Sequence, residues 1–251
     1  SKALNKSNLK EIAPLIILVC MLLILNTLNK DFLSLKTLFN MMQQVSAVGI
    51  VAIGAMVVII SGGIDFTAGY GLAAIGMAAG TVYAAGILGG NVFVVVLTCI
   101  VAGAILGALN GFLVGKLNIV PCIATLAVMS LLQGMSMLIG GGNMVMIREP
   151  SLQWFGQGKI FGNIPVSFII YVLLCFVAYL ILQKTKMGVY IYALGGNEDA
   201  VRYVGDNVVK YKILLYVMAG IYTGIAALIT ISKLGLAAPS IYGSTLLDAI
   251  A

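Results

Sequence analysis

Histidine is absent from the 251-residue sequence, and only 9% of its residues are charged. Without histidine, the chain offers neither a histidine-ligated metal site nor a histidine proton relay. Ordinary soluble domains carry about 25% charged residues. Here 61% of the residues are hydrophobic and the mean hydropathy is +1.12. This shortage of charge predicts a polytopic membrane protein.

Cysteine is also scarce, and no Cys-x-x-Cys pair is present. The four cysteines lie in or beside apolar runs, which predicts buried, reduced thiols at Cys20, Cys99, Cys122 and Cys175. We expect no metal site and no cofactor. A phosphate-binding P-loop is missing too, because the Gly115-Lys116 pair lacks a glycine at the required spacing and is followed by leucine. Any nucleotide must be bound by another chain.

Long apolar runs make up most of the sequence. The length of each is close to the roughly 20 residues that a transmembrane helix needs. They predict an all-α fold, a polytopic transmembrane helix bundle. The first run is longer than a signal-peptide core and lacks a small-residue cleavage site, so we expect a membrane helix there. The seven runs lie near 12–28, 41–60, 67–88, 92–115, 121–139, 166–182 and 213–231.

The basic residues indicate the topology of these spans. A net charge of +6 would favour nucleic acid as the partner of a soluble protein, but here Lys and Arg lie mainly at the ends of apolar runs. With the N terminus in the cytoplasm, alternation of the spans places nine Lys and Arg inside and five outside. The positive-inside bias favours this orientation and predicts no nucleic-acid partner.

A helix break is predicted at Ser61–Gly69, where two adjacent glycines and Asp65 interrupt the apolar sequence. Asp65 is either an N-cap of the next helix or a polar group that lines a substrate path, and the two roles are compatible. Asp248 follows a glycine in the same way near the end of the chain, which favours an internal inverted repeat. The chain ends as that helix begins, so we expect further chain to follow.

Small and polar residues within the spans indicate how the helices pack. Glycines recur every four residues at 103–115, and pairs with the same spacing occur in the third and seventh runs, which predicts close helix packing. Asn110 and Gln133 are amides within apolar helices. Each makes either a hydrogen bond between helices or a contact with a hydroxyl-rich solute.

Two polar stretches separate the spans. Residues 140–165 predict an external loop, in which Trp154 either joins an interfacial aromatic belt or contacts an extracytoplasmic partner. Residues 183–212, called the polar segment here, gather charge of both signs and must lie in water or against a soluble partner. Within it, a glycine turn precedes a short helix with Asn197 as its predicted N-cap, a candidate docking element.

Three strings carry a family resemblance: YALGGNEDAVRYVGDNVVKYKI (Tyr192–Ile213), SGGIDFTAG (Ser61–Gly69) and APSIYGSTLLDAIA (Ala238–Ala251). They resemble the permease subunits of ribose-type sugar ABC importers, in order along essentially the whole chain. The resemblance implies a transmembrane permease domain over 1–251, in which residues 183–212 form the cytoplasmic ATPase-coupling segment. Asp199 stands where an alanine is usual. The coupling role is implied for Gly195, Gly196, Asn197, Glu198, Asp199, Ala200 and Gly205.

The same resemblance implies a location and a set of partners. We expect a multi-pass protein of the bacterial inner membrane, in contact with lipid, that works with ABC ATPase subunits, an extracytoplasmic solute-binding protein and a second permease copy or paralogue. Such permeases are not enzymes, and ATP is hydrolysed in the separate ATPase subunit. This sequence ends before the last helices that such permeases have.

The residues of the spans favour a neutral polar solute, most simply a sugar. No acidic or basic cluster lies inside the spans to compensate a ligand charge, and Asp65, Asn110 and Gln133 are the candidate pathway residues. A nucleoside permease is the nearest alternative. A different class of protein, a secondary transporter or a channel, is the other alternative, because it would use the same polar interruptions of membrane helices. An intramembrane enzyme is disfavoured because no catalytic histidine or cysteine constellation is present.

Overall fold

The structure, a computed structural model, describes residues 16–17, 20–28, 32, 34–160, 162–203 and 205–240. It divides into two compact units, Ser1–Met42 and Gln43–Ala251. In the first unit the backbone is helical at 16–17 and 20–28, within the first predicted run. Ser34 Oγ lies 3.1 Å from Thr37 Oγ1 beside the start of helix α1 (Leu35–Ile60), which continues into the second unit.

The second unit is almost entirely helical in its described part. After α1 come α2 (Ala68–Ala84), α3 (Val92–Gly115), α4 (Pro121–Ile139), α5 (Pro150–Gln157), α6 (Val166–Lys184), α7 (Lys186–Gly196), α8 (Glu198–Tyr203) and α9 (Val208–Leu234). Within the described ranges, α1, α3, α4, α6 and α9 are the five helices long and apolar enough to cross a membrane. The predicted all-α, multi-pass bundle is confirmed.

Helix ends differ from the predicted runs where local chemistry sets the boundary. Helix α9 begins at Val208, earlier than the predicted 213, because the Asn207 side chain accepts a hydrogen bond from Lys210 N at 3.0 Å and caps it. Helix α2 ends at Ala84, before a left-handed Gly86 (φ 64°). The second candidate break, near Asp248, lies outside the described residues, so the inverted repeat stays a prediction.

Residues 140–165 are more ordered than the predicted loop. They contain α5 and three short strands, β1 (Val145–Met146), β2 (Lys159–Ile160) and β3 (Ile164–Pro165). Strand β1 pairs antiparallel with β4 (Leu236–Ala237), and β2 pairs with β3. The stretch connects two candidate spans, as a loop would, but the sequence did not predict α5, which Pro150 starts at its first position.

The cysteines are free thiols, but their burial differs from the prediction. Cys99 is buried between helices, whereas Cys122 and Cys175 are half-buried and Cys20 is exposed. An apolar run predicts contact with lipid as well as with protein, and the sequence does not separate the two. The expectation of uniform burial was wrong.

Helices α3 and α9 pack backbone against backbone along a line of glycines, called the glycine seam here. A Cβ added at Gly103 would overlap the backbone of α9, and one at Gly107 would overlap the carbonyl oxygen of Tyr216. At Gly111 the added atom would lie 2.6 Å from Ile213 Cα. Residues four apart share one helix face, and the predicted packing seam is confirmed.

We predict that Gly107→Ala destabilises the bundle by about 2 kcal/mol, because an overpacked site must push two backbones apart. The change is measured as a lower melting temperature of the purified subunit in detergent. Gly134→Ala is the matched control, since a Cβ at Gly134 on α4 meets no atom within 4 Å, and it should leave the melting temperature unchanged or raise it slightly. Equal effects of the two substitutions would contradict the seam.

Candidate functional site

The break between α1 and α2 holds Asp65 in a defined, buried position. The chain turns at Gly62 (φ 82°), where a side chain would be strained. Asp65 is 7% exposed, and its Oδ1 accepts hydrogen bonds from Thr67 N at 2.8 Å and from Thr67 Oγ1 at 2.5 Å. The carboxylate thus binds the amide of Thr67 next to the helix start. The N-cap position itself belongs to Thr67, so the predicted N-cap role of Asp65 was wrong.

Asn110 joins this break from the facing helix α3. It is 1% exposed, and its Nδ2 donates a hydrogen bond to Thr67 Oγ1 at 2.9 Å. Asp65, Thr67 and Asn110 therefore form one chain of hydrogen bonds, called the Asp65 network here. Among the described residues, the second amide atom of Asn110, Oδ1, has no partner. The network connects two helices and leaves one buried acceptor free for a further donor.

Gln133 does not belong to this network. Its side chain is exposed on α4, and its backbone oxygen accepts a hydrogen bond from Ser136 Oγ at 2.8 Å. The sequence placed Asp65, Asn110 and Gln133 together only because all three are polar groups in apolar surroundings. The structure brings the first two together and separates the third.

Tyr216 is a residue of this region that the sequence reasoning missed. It lies on α9, is 2% exposed, and its hydroxyl has no hydrogen-bond partner among the described residues. A Cβ added at Gly63 would lie 3.0 Å from that hydroxyl oxygen, so Tyr216 packs directly against the break. A tyrosine near the start of a spanning helix is too common in membrane proteins to have signalled this contact.

The polar segment forms two short helices, α7 and α8, before α9 begins. Gly195 and Gly196 are the last residues of α7, so the predicted glycine turn is wrong: the turn consists of Asn197 alone. The side chain of Asn197 accepts a hydrogen bond from Ala200 N at 3.1 Å, which confirms it as the cap of α8. Gly205 follows α8 in a left-handed conformation (φ 87°).

Glu198 lies between two cations at the start of α8. Its carboxylate oxygens lie 2.7 Å from Arg202 Nη2 and 2.7 Å from Lys212 Nζ. Partial burial alone would raise the pKa of Glu198, but the bonds from Lys212 and Arg202 outweigh burial and lower the pKa below its ordinary value. Glu198 therefore stays ionised at neutral pH and holds α8 against α9.

A second contact fixes α7 to the start of α9. The Tyr190 hydroxyl donates a hydrogen bond to Asp206 Oδ2 at 2.6 Å, and its ring stacks on Tyr211 with centroids 4.0 Å apart. The bond to Asp206 raises the pKa of Tyr190 above its ordinary value, because ionisation would place two negative charges side by side. Tyr190 thus connects α7 to the start of α9, and Glu198 connects α8 to α9.

The outward side of α8 carries an aromatic residue that the sequence reasoning also missed. Tyr203 is 91% exposed, while its neighbour Val201 is buried. Asp199 is exposed on the same short helix. A fully exposed aromatic ring next to a charged side chain is typical of residues that anchor protein interfaces.

The polar segment touches the break between α1 and α2. A Cβ added at Gly195 would overlap the carbonyl oxygen of Ile60, the last residue of α1. Beside this contact lies a cavity of about 190 Å³ whose lining includes Ser61, Glu198 and Tyr216. Within the described ranges, no group of three or more Asp, Glu or Cys side chains is placed to hold a metal ion. The arrangement joins a surface element to a buried network.

Comparison with known proteins gives consistent similarities. The family described as "Branched-chain amino acid transport system / permease component" matches residues 37–251. The ribose import permease protein of Escherichia coli (strain K12) is 36% identical over 251 residues, covering 98% of this chain and 77% of that protein. The ribose import permease protein of Bacillus subtilis (strain 168) is 35% identical over 245 residues, covering 97% and 75%. The galactofuranose transporter permease protein of Escherichia coli (strain K12) is 34% identical over 190 residues, covering 76% and 54%. No solved structure matches the chain.

We predict that Thr67→Val destabilises the subunit by about 1–3 kcal/mol, because it leaves the buried amide of Asn110 and the carboxylate of Asp65 with one hydrogen bond fewer each. Valine matches threonine in shape, so the loss reflects the hydroxyl. Thermal unfolding in detergent measures it, with Thr67→Ser as the control that keeps the hydroxyl and should retain most of the stability. A valine variant as stable as the serine variant would show that the network contributes nothing.

Proposed function

This chain belongs to the family of branched-chain amino acid transport system permease components, and we propose that it is the membrane-spanning subunit of an ATP-driven importer that carries a sugar. The observation that carries this proposal is similarity over nearly the whole chain to proteins named as ribose import permeases. The spans and the folded polar segment supply the two parts that such a subunit needs, a path and a docking element.

The chain makes and breaks no bond in this proposal. A separate ATPase subunit hydrolyses ATP on the cytoplasmic side of a bacterial inner membrane, and an extracytoplasmic binding protein delivers the solute. A second permease copy or paralogue completes the path. The polar segment docks on the ATPase, with the coupling role on Gly195, Gly196, Asn197, Glu198, Asp199, Ala200 and Gly205. Tyr203 joins them because its ring is 91% exposed.

A neutral solute fits the chemistry of the spans best. Asp65 is 7% exposed and its Oδ1 accepts hydrogen bonds from the amide and hydroxyl of Thr67, which limits the access of a cationic solute to it. Asn110 retains one free acceptor and Gln133 an exposed amide, and both groups suit hydroxyl donors. We therefore keep these three residues as the proposed contacts with the solute.

The first test is reconstitution. We expect proteoliposomes that hold the full-length permease with its ATPase and binding protein to take up radiolabelled ribose or galactose when ATP is inside, and to take up neither sugar without the ATPase. Sugar uptake without the ATPase, driven by an ion gradient, would instead establish a secondary transporter. ATP-driven uptake of uridine but of neither sugar would establish the nucleoside alternative.

The second test addresses docking. We predict that Tyr203→Ala weakens binding of the ATPase to the permease by about 2 kcal/mol, the usual size for a buried aromatic anchor at an interface. Binding of the purified ATPase to permease in lipid nanodiscs measures the change. Tyr179→Ala is the control, because Tyr179 is 54% exposed on the spanning helix α6 and lies outside the polar segment. Equal affinity of the Tyr203 variant and the wild type would remove Tyr203 from the docking surface.

A further inference from the structure

Glu198 forms two ion pairs inside the subunit. Both carboxylate oxygens are taken, one by Arg202 and one by Lys212, each at 2.7 Å. The side chain of Arg202 is 52% exposed, whereas that of Lys212 is only 17% exposed. The Lys212 contact is therefore the shielded one, and it joins the docking helix α8 to the spanning helix α9.

The ion pair lies at a meeting point of five elements. The cavity of about 190 Å³ beside it is lined from the α1–α2 break, the end of α3, the start of α4, α8 and α9. We name this space the junction cavity. Its lining residues are Ser61, Gly62, Gly63, Val114, Pro121, Glu198, Lys212 and Tyr216.

From the ion pair, contacts lead to the buried network within one helical turn. Lys212 and Tyr216 are four residues apart and so lie on one face of α9. Tyr216 in turn packs its hydroxyl against Gly63, two residues before Asp65. A shift of Glu198 that carries Lys212 along must therefore also displace the side chain that supports the break.

The glycine seam makes this movement collective. Because α3 and α9 touch backbone to backbone at Gly107 and Gly111, α9 cannot slide without moving α3, which carries Asn110. Both ends of the Asp65 network, the break and Asn110, are thus connected to α9. Packed helices with such contacts move as rigid bodies rather than by gradual deformation.

We propose that the Lys212–Glu198 ion pair transmits the movement of the docking helix to α9 and to the Asp65 network, so that Lys212 is a positioning residue for transport. This inference rests on the proposed function. The role assigned here is mechanical, because the pair connects α8 and α9, which have no other ion pair between them among the described residues.

The experiment measures solute moved per ATP hydrolysed. The permease, assembled with its ATPase and binding protein in proteoliposomes, is given the radiolabelled sugar that the wild type takes up, and uptake and phosphate release are recorded together. We expect Lys212→Met to lower the ratio about tenfold, the ordinary size of coupling between two sites, while ATP hydrolysis and assembly persist. Lys212→Arg keeps the charge and should retain most of the ratio.

A double-mutant cycle shows whether the pair acts as one unit. Glu198→Gln combined with Lys212→Met should lower the ratio no further than either change alone. Lys159→Met, at the opposite end of the bundle, is the control and should match the wild type. A normal ratio in Lys212→Met, or additive losses in the double variant, would overturn the inference and leave the proposed function standing. Absence of ATP-dependent uptake in the wild type would overturn the proposed function, and this inference with it.

Discussion

The direct contact between the backbones of α3 and α9 is the constraint on which the other contacts of the bundle depend. Glycines at 103, 107 and 111 place no side chain between α3 and α9 at these three positions, so the two backbones approach each other closely there. That approach sets the position of Tyr216 against the α1–α2 break and of Lys212 against Glu198. The α3–α9 interface thereby positions both the Asp65 network and the Lys212–Glu198 ion pair.

Three acidic side chains of the described residues have hydrogen-bond or ion-pair partners. Glu198 forms ion pairs with two cations. Asp206 accepts a hydrogen bond from the Tyr190 hydroxyl, and Asp65 accepts hydrogen bonds from an amide and a hydroxyl. These three acids have partners, which lowers the free-energy cost of placing a charge in a low-dielectric setting. The contacts that carry the proposed function are therefore also contacts that stabilise these acids.

The sequence predicted well what depends on composition and period, and poorly what depends on tertiary placement. Apolar length predicted the five helices of the described residues that are long enough to cross a membrane. The four-residue glycine spacing predicted the seam and the cap chemistry of Asn197 was correct, because each is a local property. The third predicted run, 67–88, was too long, since its helix has only 17 residues. The grouping of Gln133 with Asp65 failed because residue type does not specify which face of a helix meets a neighbour. Tyr203 and Tyr216 were missed because tyrosine is unremarkable in a membrane protein until its exposure is known.

Helix α4 presents an amide on a surface where a hydrocarbon environment would be unfavourable. Gln133 is exposed there, and the adjacent Gly134 has no atom within 4 Å of the position a Cβ would occupy. In lipid an unpaired side-chain amide costs several kcal/mol, and a glycine offers no apolar surface to offset it. Covering this face with protein would recover that free energy, and this gain requires neither ATP nor solute.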